Sequence, residues 1–360
     1  MTEAVLLVGG QGTRLRPLTI NTPKPMLPVA GVPCTEHQIA RAREAGVTRI
    51  ILGTSYRAEV FKDYFGDGAK FGVELVYAVE DHPMGTGGAI RHVAEHLLSG
   101  PDEPVMVFNG DVLTGVDLRH LFDVHAQTGA AVTLYLTRVT DPRAFGLVPT
   151  DDDGRVTAFL EKPKTEAEII TDQINAGCYV FRRKVIDGIP TGRPVSVERE
   201  IFPKLLAEGA RLQGVVDDGY WLDLGNPLAF VKGSADLVRG IAPSPAVPGH
   251  TGEFLVMPGA EVSRKATLGG GTVVGSGATV GPHASVFGSV LFDGAVISAG
   301  AVVRDSVIGA GAVVGAGASL EGVVVGDRAM IGPGNELIPG ARVWPGVALG
   351  ETAVRFSSDR

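Results

Sequence analysis

Val8-Gly9-Gly10-Gln11-Gly12-Thr13-Arg14-Leu15-Arg16-Pro17-Leu18-Thr19, followed closely by Pro23-Lys24-Pro25-Met26-Leu27-Pro28, decides how the first two thirds of the chain are read. The run Ala4–Val8 is short and apolar, which predicts a buried strand. Three glycines in four positions follow it, letting the backbone turn sharply and present bare N–H groups to an anion. Arg14, Arg16 and Lys24 place cations beside that turn, and prolines stiffen the return path. Such a loop suits a triphosphate whose α-phosphorus is to be attacked. It is not a Walker A loop, because no Gly-Lys-Ser/Thr closes it. Nor is it the dinucleotide fingerprint, because Leu15 stands where the third glycine would be.

Outward from this stretch, strand-like segments (Arg49–Leu52, Glu74–Ala78, Val105–Phe108) alternate with amphipathic helical ones (Thr35–Ala45, Ala89–Leu98, Asp117–Gln127). That alternation predicts an α/β domain over residues 1–240 with a mixed, mostly parallel, Rossmann-like sheet. Ala131–Arg138 and Ile174–Phe181 extend it. A proline-rich linker, 241–250, cannot continue a helix and marks a domain boundary.

Beyond the linker, aliphatic residues recur about every six positions: Leu268, Val274, Val280, Val286, Leu291, Ile297, Val303, Ile308, Val314, Leu320, Val325, Ile331, Leu337, Val343 and Leu349. Three steps are five residues long, and these recur every 17 residues, so one corner loses a residue per coil. The pattern specifies a left-handed parallel β-helix over 251–350, with aliphatics inside the prism and small residues at the corners. Residues 351–360 read as a polar tail.

The chain has 360 residues, enough for two domains, and a net charge of −8. This gives no basic footprint for nucleic acid. Cys34 and Cys178 make no metal pattern and fit a reducing compartment. The N-terminal apolar run has no basic flank, and no stretch approaches 18 apolar residues. A cytoplasmic protein without membrane or nucleic-acid partners is expected.

Three later motifs carry chemistry. Val105-Met-Val-Phe-Asn-Gly-Asp111 is a strand ending in an acid, where the ligands of open α/β sheets gather, so Asp111 can hold a hard cation. Asp223 in Tyr220-Trp-Leu-Asp-Leu-Gly225 is a second acid. Glu80-Asp-His-Pro-Met-Gly-Thr-Gly-Gly-Ala-Ile90 follows a strand and opens a helix, and Gly85 and Gly88 permit close approach of a flat base.

In order and spacing these motifs resemble the sugar-1-phosphate nucleotidyltransferases, over nearly the whole chain. The resemblance is greatest to guanylyl members that use GTP and mannose 1-phosphate, a preference that Val8 before Gly9-Gly10 supports. It implies that Gly9, Gly10, Gly12 and Thr13 wrap the nucleotide, with Gly85, Thr86 and Gly88 against the base. Arg14 and Lys24 would contact its phosphates. Asp111 and Asp223 would be paired Mg²⁺ ligands. In Phe159-Leu-Glu-Lys-Pro163 and Ile174-Asn-Ala-Gly-Cys178, Lys162 would bind the sugar phosphate, while Glu161 and Asn175 bind sugar hydroxyls. Gly146 would face the sugar with its backbone. Gly87, where many relatives have alanine, is expected to loosen its turn. Glu198 reads as structural, and Asn226, where threonine is common, as a neutral departure.

Two other readings share parts of the pattern. A glucose-1-phosphate adenylyl-, uridylyl- or thymidylyltransferase keeps the chemistry and changes the substrates. A bifunctional enzyme would add acyl transfer from acetyl-CoA by the β-helix, with His283 as its base. A regulatory, non-catalytic subunit is opposed by the intact set Arg14, Lys24, Asp111, Lys162 and Asp223. The large apolar residues of the last coils, Leu337, Val343 and Trp344, predict a homo-oligomer, dimer or tetramer, with the β-helix as structural interface.

Overall fold

The strand-like segments of the first two thirds of the chain become a nine-stranded sheet. The computed structural model describes residues 2–55, 57–247 and 252–356. Residues 248–250 of the expected linker, Thr251 at the start of the expected β-helix, and 357–360 of the expected tail lie outside that range, as does Met1. Packing divides the chain into two compact units: the residues up to Gly10 with Gln38–Trp221, and Gln11–His37 with the chain from Leu222 onward.

The first unit is built on Thr2–Leu7, which pairs in parallel with Val47–Thr54 on one side and Pro104–Asn109 on the other. Glu74–Val79 extends the parallel run. Gln173–Arg182 is antiparallel to Pro104–Asn109 and also pairs with Val132–Arg138 and with the short strand Gly146–Leu147. Both faces of the sheet are covered, so the central strands are apolar throughout rather than alternating. Val5, Ile51, Val105, Val107, Leu134 and Phe181 are buried in one cluster. The helix expected over Ala89–Leu98 begins earlier: Gly85–His92 is α-helical and Val93–His96 continues as a 3-10 turn.

The second unit contains the loop from Gln11, the hairpin Pro28–Val29/Val32–Pro33, the helix Pro227–Val238 and the β-helix. Asn226 caps that helix, its Oδ1 accepting from the Ala229 amide at 2.9 Å, so the asparagine serves as a threonine would. Gly271 has φ +79° and lies where a Cβ would meet Ala235 at 2.6 Å, so the helix can lie directly on the coil.

The β-helix has three parallel strand stacks of six, six and five strands, consistent with the left-handed coil that hexapeptides specify. Every aliphatic in the sequence series falls in register. Leu268, Val286, Val303, Leu320 and Leu337 pair in one stack. Val274, Leu291, Ile308, Val325 and Val343 pair in the second. Val280, Ile297, Val314, Ile331 and Leu349 pair in the third.

The 17-residue coil has a hydrogen-bonded cause. At the short corner a hydroxyl accepts from the amide one coil on: Ser289 N to Thr272 Oγ1, Ser306 N to Ser289 Oγ, Val323 N to Ser306 Oγ. Each side chain stands in for a backbone acceptor. Val323 has no hydroxyl, and there the next step, Leu337 to Val343, returns to six.

Two expectations about the C-terminal end need correcting. Leu337 and Val343 are buried inside the prism and cannot serve as an interface, although Trp344 is 47 % exposed. The tail is also more than polar. Val354 packs on the core, its amide donates to Asn335 Oδ1 at 2.8 Å, and Arg355 pairs with Glu336 at 3.4 Å. This segment closes the prism, so the aliphatics there need no partner for burial.

Candidate active site

In the sheet unit the strand Thr2–Leu7 delivers the chain to Gly9. Val8 N donates to Gly53 O at 2.9 Å, and Ser55 Oγ donates to Gly9 O at 2.6 Å, which fixes the exit. A Cβ on Gly9 would meet Ser55 Oγ at 2.8 Å, so a larger residue there would push aside the hydroxyl that holds Gly9 O. At Gly10 an added Cβ meets nothing, and its backbone is exposed.

Asp111 sits just past the end of Pro104–Asn109. Gly110 donates to Leu7 O at 2.9 Å, and a Cβ on Gly110 would meet that oxygen at 2.6 Å. Gln38 Nε2 donates to both Asn109 O, at 3.1 Å, and Val112 O, at 2.6 Å. Asp111 is therefore held by its backbone on both sides. Gln38 was invisible to motif reading, since a helical glutamine carries no signal of its own.

The segment Gly85-Thr86-Gly87-Gly88 forms the first turn of a helix. Gly85 has φ +72°, and its missing Cβ leaves room for Val195 O at 2.6 Å. The amides of Gly87 and Gly88 both donate to Val195 O. Gly87 does not loosen the turn as expected: a Cβ there would meet Val195 Cγ1 at 2.9 Å, so glycine lets the two segments close. Thr86 Oγ1 donates to Glu198 Oε2 at 2.7 Å, which also accepts from Ser196 Oγ at 2.6 Å. Glu198 thus ties this turn to the π-helical segment Val197–Ile201.

On the sugar-phosphate side, strand pairing sets Glu161 opposite Gly146. A Cβ on Gly146 would meet Glu161 Oε2 at 2.7 Å, so glycine leaves that carboxylate its place. Burial, and then the like charge of Glu198, push the Glu161 carboxyl above its ordinary value. Lys162 has φ +53°, its amide donates to Phe145 O, and its Nζ is 3.7 Å from Glu161 Oε1 with the side chain 60 % exposed. Asn175 Nδ2 donates to Tyr179 Oη at 2.7 Å, and its Oδ1 accepts from Gly177 N. Trp221 joins these pieces: Nε1 donates to Ala176 O at 3.0 Å and the ring meets Phe145 edge-on.

In the second unit Gly12 is left-handed, φ +59°, and a Cβ there would also meet Lys24 Cβ at 2.7 Å, so conformation and space both favour glycine. Thr13–Leu15 then forms a 3-10 turn, and Thr19 Oγ1 donates back to Gly12 O at 2.9 Å. Lys24 is buried, and its Nζ lies 3.6 Å from Asp223 Oδ1. Arg14 Nη2 lies 3.9 Å from Asp223 Oδ2. A Cβ at Gly225 would meet that same Nη2 at 2.5 Å, so Gly225 admits the guanidinium against the backbone. Arg14, Lys24 and Asp223 therefore lie together.

Among the described residues no three His, Cys, Asp or Glu side chains gather as a metal cluster. Single carboxylates such as Asp111 and Asp223 suit Mg²⁺, which binds through one or two carboxylates, phosphate oxygens and retained waters. Each is by its chemistry a hard oxygen donor of the kind that ion takes. His283 occupies a corner where the equivalent residues of later coils, Gly300, Gly317 and Gly334, are glycines with positive φ. It is exposed at φ +59°.

Against known proteins, residues 3–240 match the model of the Nucleotidyl transferase family, and residues 250–355 match that of the GMPPB C-terminal domain. The chain belongs to the nucleotidyl transferase family and is an enzyme of that class. It is 59% identical to mannose-1-phosphate guanylyltransferase of Mycobacterium tuberculosis, over 99% of this chain and 98% of the relative. It is 38% identical to mannose-1-phosphate guanylyltransferase catalytic subunit beta of Drosophila pseudoobscura pseudoobscura, covering 72% and 70% of the two chains. Among solved structures, HddC from Yersinia pseudotuberculosis complexed with GMP-PN aligns with a TM-score of 0.55 at 26% identity, over 66% of this chain and all of that one. A putative glucose-1-phosphate thymidylyltransferase from Bacillus anthracis shares the fold, with a TM-score of 0.60 at 24% identity over 68% and 98% of the chains. No helix among the described residues is long and apolar enough to cross a membrane.

Proposed function

We propose that the enzyme transfers GMP from GTP to mannose 1-phosphate, giving GDP-mannose and pyrophosphate. The observation that carries this reading is 59% identity, over essentially both whole chains, to a protein of that activity. The match to the GMPPB C-terminal domain supports it independently of the transferase region.

The attacking oxygen belongs to a phosphate that is already anionic, so the protein need supply no nucleophile. Its work is positioning and charge neutralisation. Arg14 and Lys24 stabilise charge on the triphosphate, with the turn Gly9–Thr13 around it and Gly85, Thr86 and Gly88 toward the base. Lys162 holds the phosphate of the sugar, whose charge otherwise repels the nucleotide. Glu161 and Asn175 accept from and donate to sugar hydroxyls beside the Gly146 backbone. Asp111 and Asp223 would hold Mg²⁺, which when bound neutralises phosphate charge. Residues 1–240 carry transfer. The β-helix carries assembly into a homo-oligomer, for which Trp344 and Met330, exposed on the last coils, are the apolar candidates.

Steady-state turnover across four nucleoside triphosphates and several hexose 1-phosphates tests the substrates. GTP with mannose 1-phosphate should lead every other pair by at least about tenfold in kcat/KM. Preference for dTTP, UTP or ATP with glucose 1-phosphate would overturn the reading.

A further inference from the structure

The outward positions of the second β-helix stack run Val273, Val290, Val307, Val324 and then Arg342. The four valines are buried, although they point away from the prism, so this stack is covered on both faces. At the sixth coil the apolar row ends in an exposed arginine. Arg342 Nη1 donates to Arg14 O at 2.8 Å and also to Arg16 O.

Those carbonyls close the turn Thr13–Leu15. The internal bonds of the turn are Leu15 N to Gly12 O and Arg16 N to Thr13 O, so the oxygens of residues 14 and 16 lie beyond its own ladder. A short turn leaves such C-terminal carbonyls in need of donors, and a cation there also meets the negative end of the peptide dipoles. One guanidinium nitrogen, Nη1, serves both oxygens at once through its two N–H groups. The turn it grips carries the Arg14 side chain to Asp223 and Gly225.

We propose that Arg342 is a positioning residue for nucleotidyl transfer, fixing from the β-helix the turn that presents Arg14. This rests on the reading of Arg14 as a phosphate contact. It gives the β-helix a part in positioning beside its structural one. Arg342 touches no substrate and acts through the backbone of residues 14–16.

The test uses the full chain with Arg342→Ala, Arg342→Lys and, as a control on a neighbouring stack, Arg304→Ala. Should the alanine variant not fold, Arg342→Met keeps the aliphatic stem without the donors. Hydrogen exchange is followed on peptides spanning residues 12–18, alongside KM for nucleotide and for sugar phosphate. Removing charged hydrogen bonds should speed exchange at the amides of Leu15 and Arg16 and raise the nucleotide KM, each by about tenfold. The sugar-phosphate KM should stay within about twofold. Lysine, which keeps a charged donor without the planar guanidinium, should recover part of the loss, and Arg304→Ala should match wild type. Unchanged exchange in residues 12–18, faster exchange spread evenly through the chain, or equal rises in both KM values would overturn the proposal. If wild type turns over neither GTP nor mannose 1-phosphate while Arg342→Ala still loosens that turn, the substrate reading fails and the brace stands.

Discussion

The sheet unit and the unit that carries the β-helix hold their polar groups by different means. In the sheet unit, strand register does most of the work. Glu161 is set opposite Gly146 by pairing, Asn175 bonds Tyr179 in its own strand, and Asp111 follows the strand that Gly110 ties to Leu7. In the other unit, segments far apart in sequence meet through side chains. Lys24 reaches Asp223, Arg14 lies on Gly225, and Arg342 grips the carbonyls of residues 14 and 16. Register is held by many bonds at once, so one substitution changes one group. A side-chain assembly shares its parts, so one substitution should disturb several.

Asp111→Asn and Asp223→Asn probe that difference with the largest expected effects. Each removes one carboxylate charge, and each should cut kcat by roughly 10²–10³. Stability gives a second readout. Asp223→Asn removes a counter-charge of both Arg14 and buried Lys24, and should lose about 1–3 kcal/mol in urea unfolding. An Asp223→Asn variant as stable as wild type would break the comparison. Near wild-type kcat in either variant would remove that residue from the metal site.

A smaller effect, present in both units, comes from two buried histidines. Burial holds His37 down to about 4 and His125 down to about 4. His37 faces Val29 O and Ser244 Oγ, and His125 faces Thr133 Oγ1. Because the folded values lie below the unfolded ones, the unfolded chain binds more protons between them. Stability is therefore full above about pH 6.5 and falls as pH drops toward 4. Each histidine should cost about 1–2 kcal/mol between pH 6.5 and 5. Thermal melts over that range should show falling Tm, with a shallower slope in His125→Asn. A flat profile would mean that neither ring is held neutral.

The register-built parts were legible from sequence because their causes are periodic. The aliphatics from Leu268 to Leu349 named every strand stack, and the 17-residue recurrence marked the corner that the Ser289 and Ser306 hydroxyls fill. Motifs also named the charged members of the assembled part, Arg14, Lys24 and Asp223. The residues that support them stayed hidden. Gln38 and Arg342 act on backbone carbonyls that no motif displays, and Gly87 is explained only by Val195, more than a hundred positions away. The C-terminal end misled for a related reason. Leu337 and Val343 look like an open coil until Val354 folds back to close it.

The proposed function gives two lysines separate substrates, Lys24 the triphosphate and Lys162 the sugar phosphate. Michaelis constants of Lys24→Ala and Lys162→Ala, measured against both substrates, test it most directly. Each variant should lose roughly 10²–10³ in kcat/KM. Lys162→Ala should lose it chiefly through KM for mannose 1-phosphate, and Lys24→Ala through kcat and KM for GTP. A Lys162→Ala enzyme with unchanged constants for the sugar phosphate, or two variants with the same pattern against both substrates, would contradict the account.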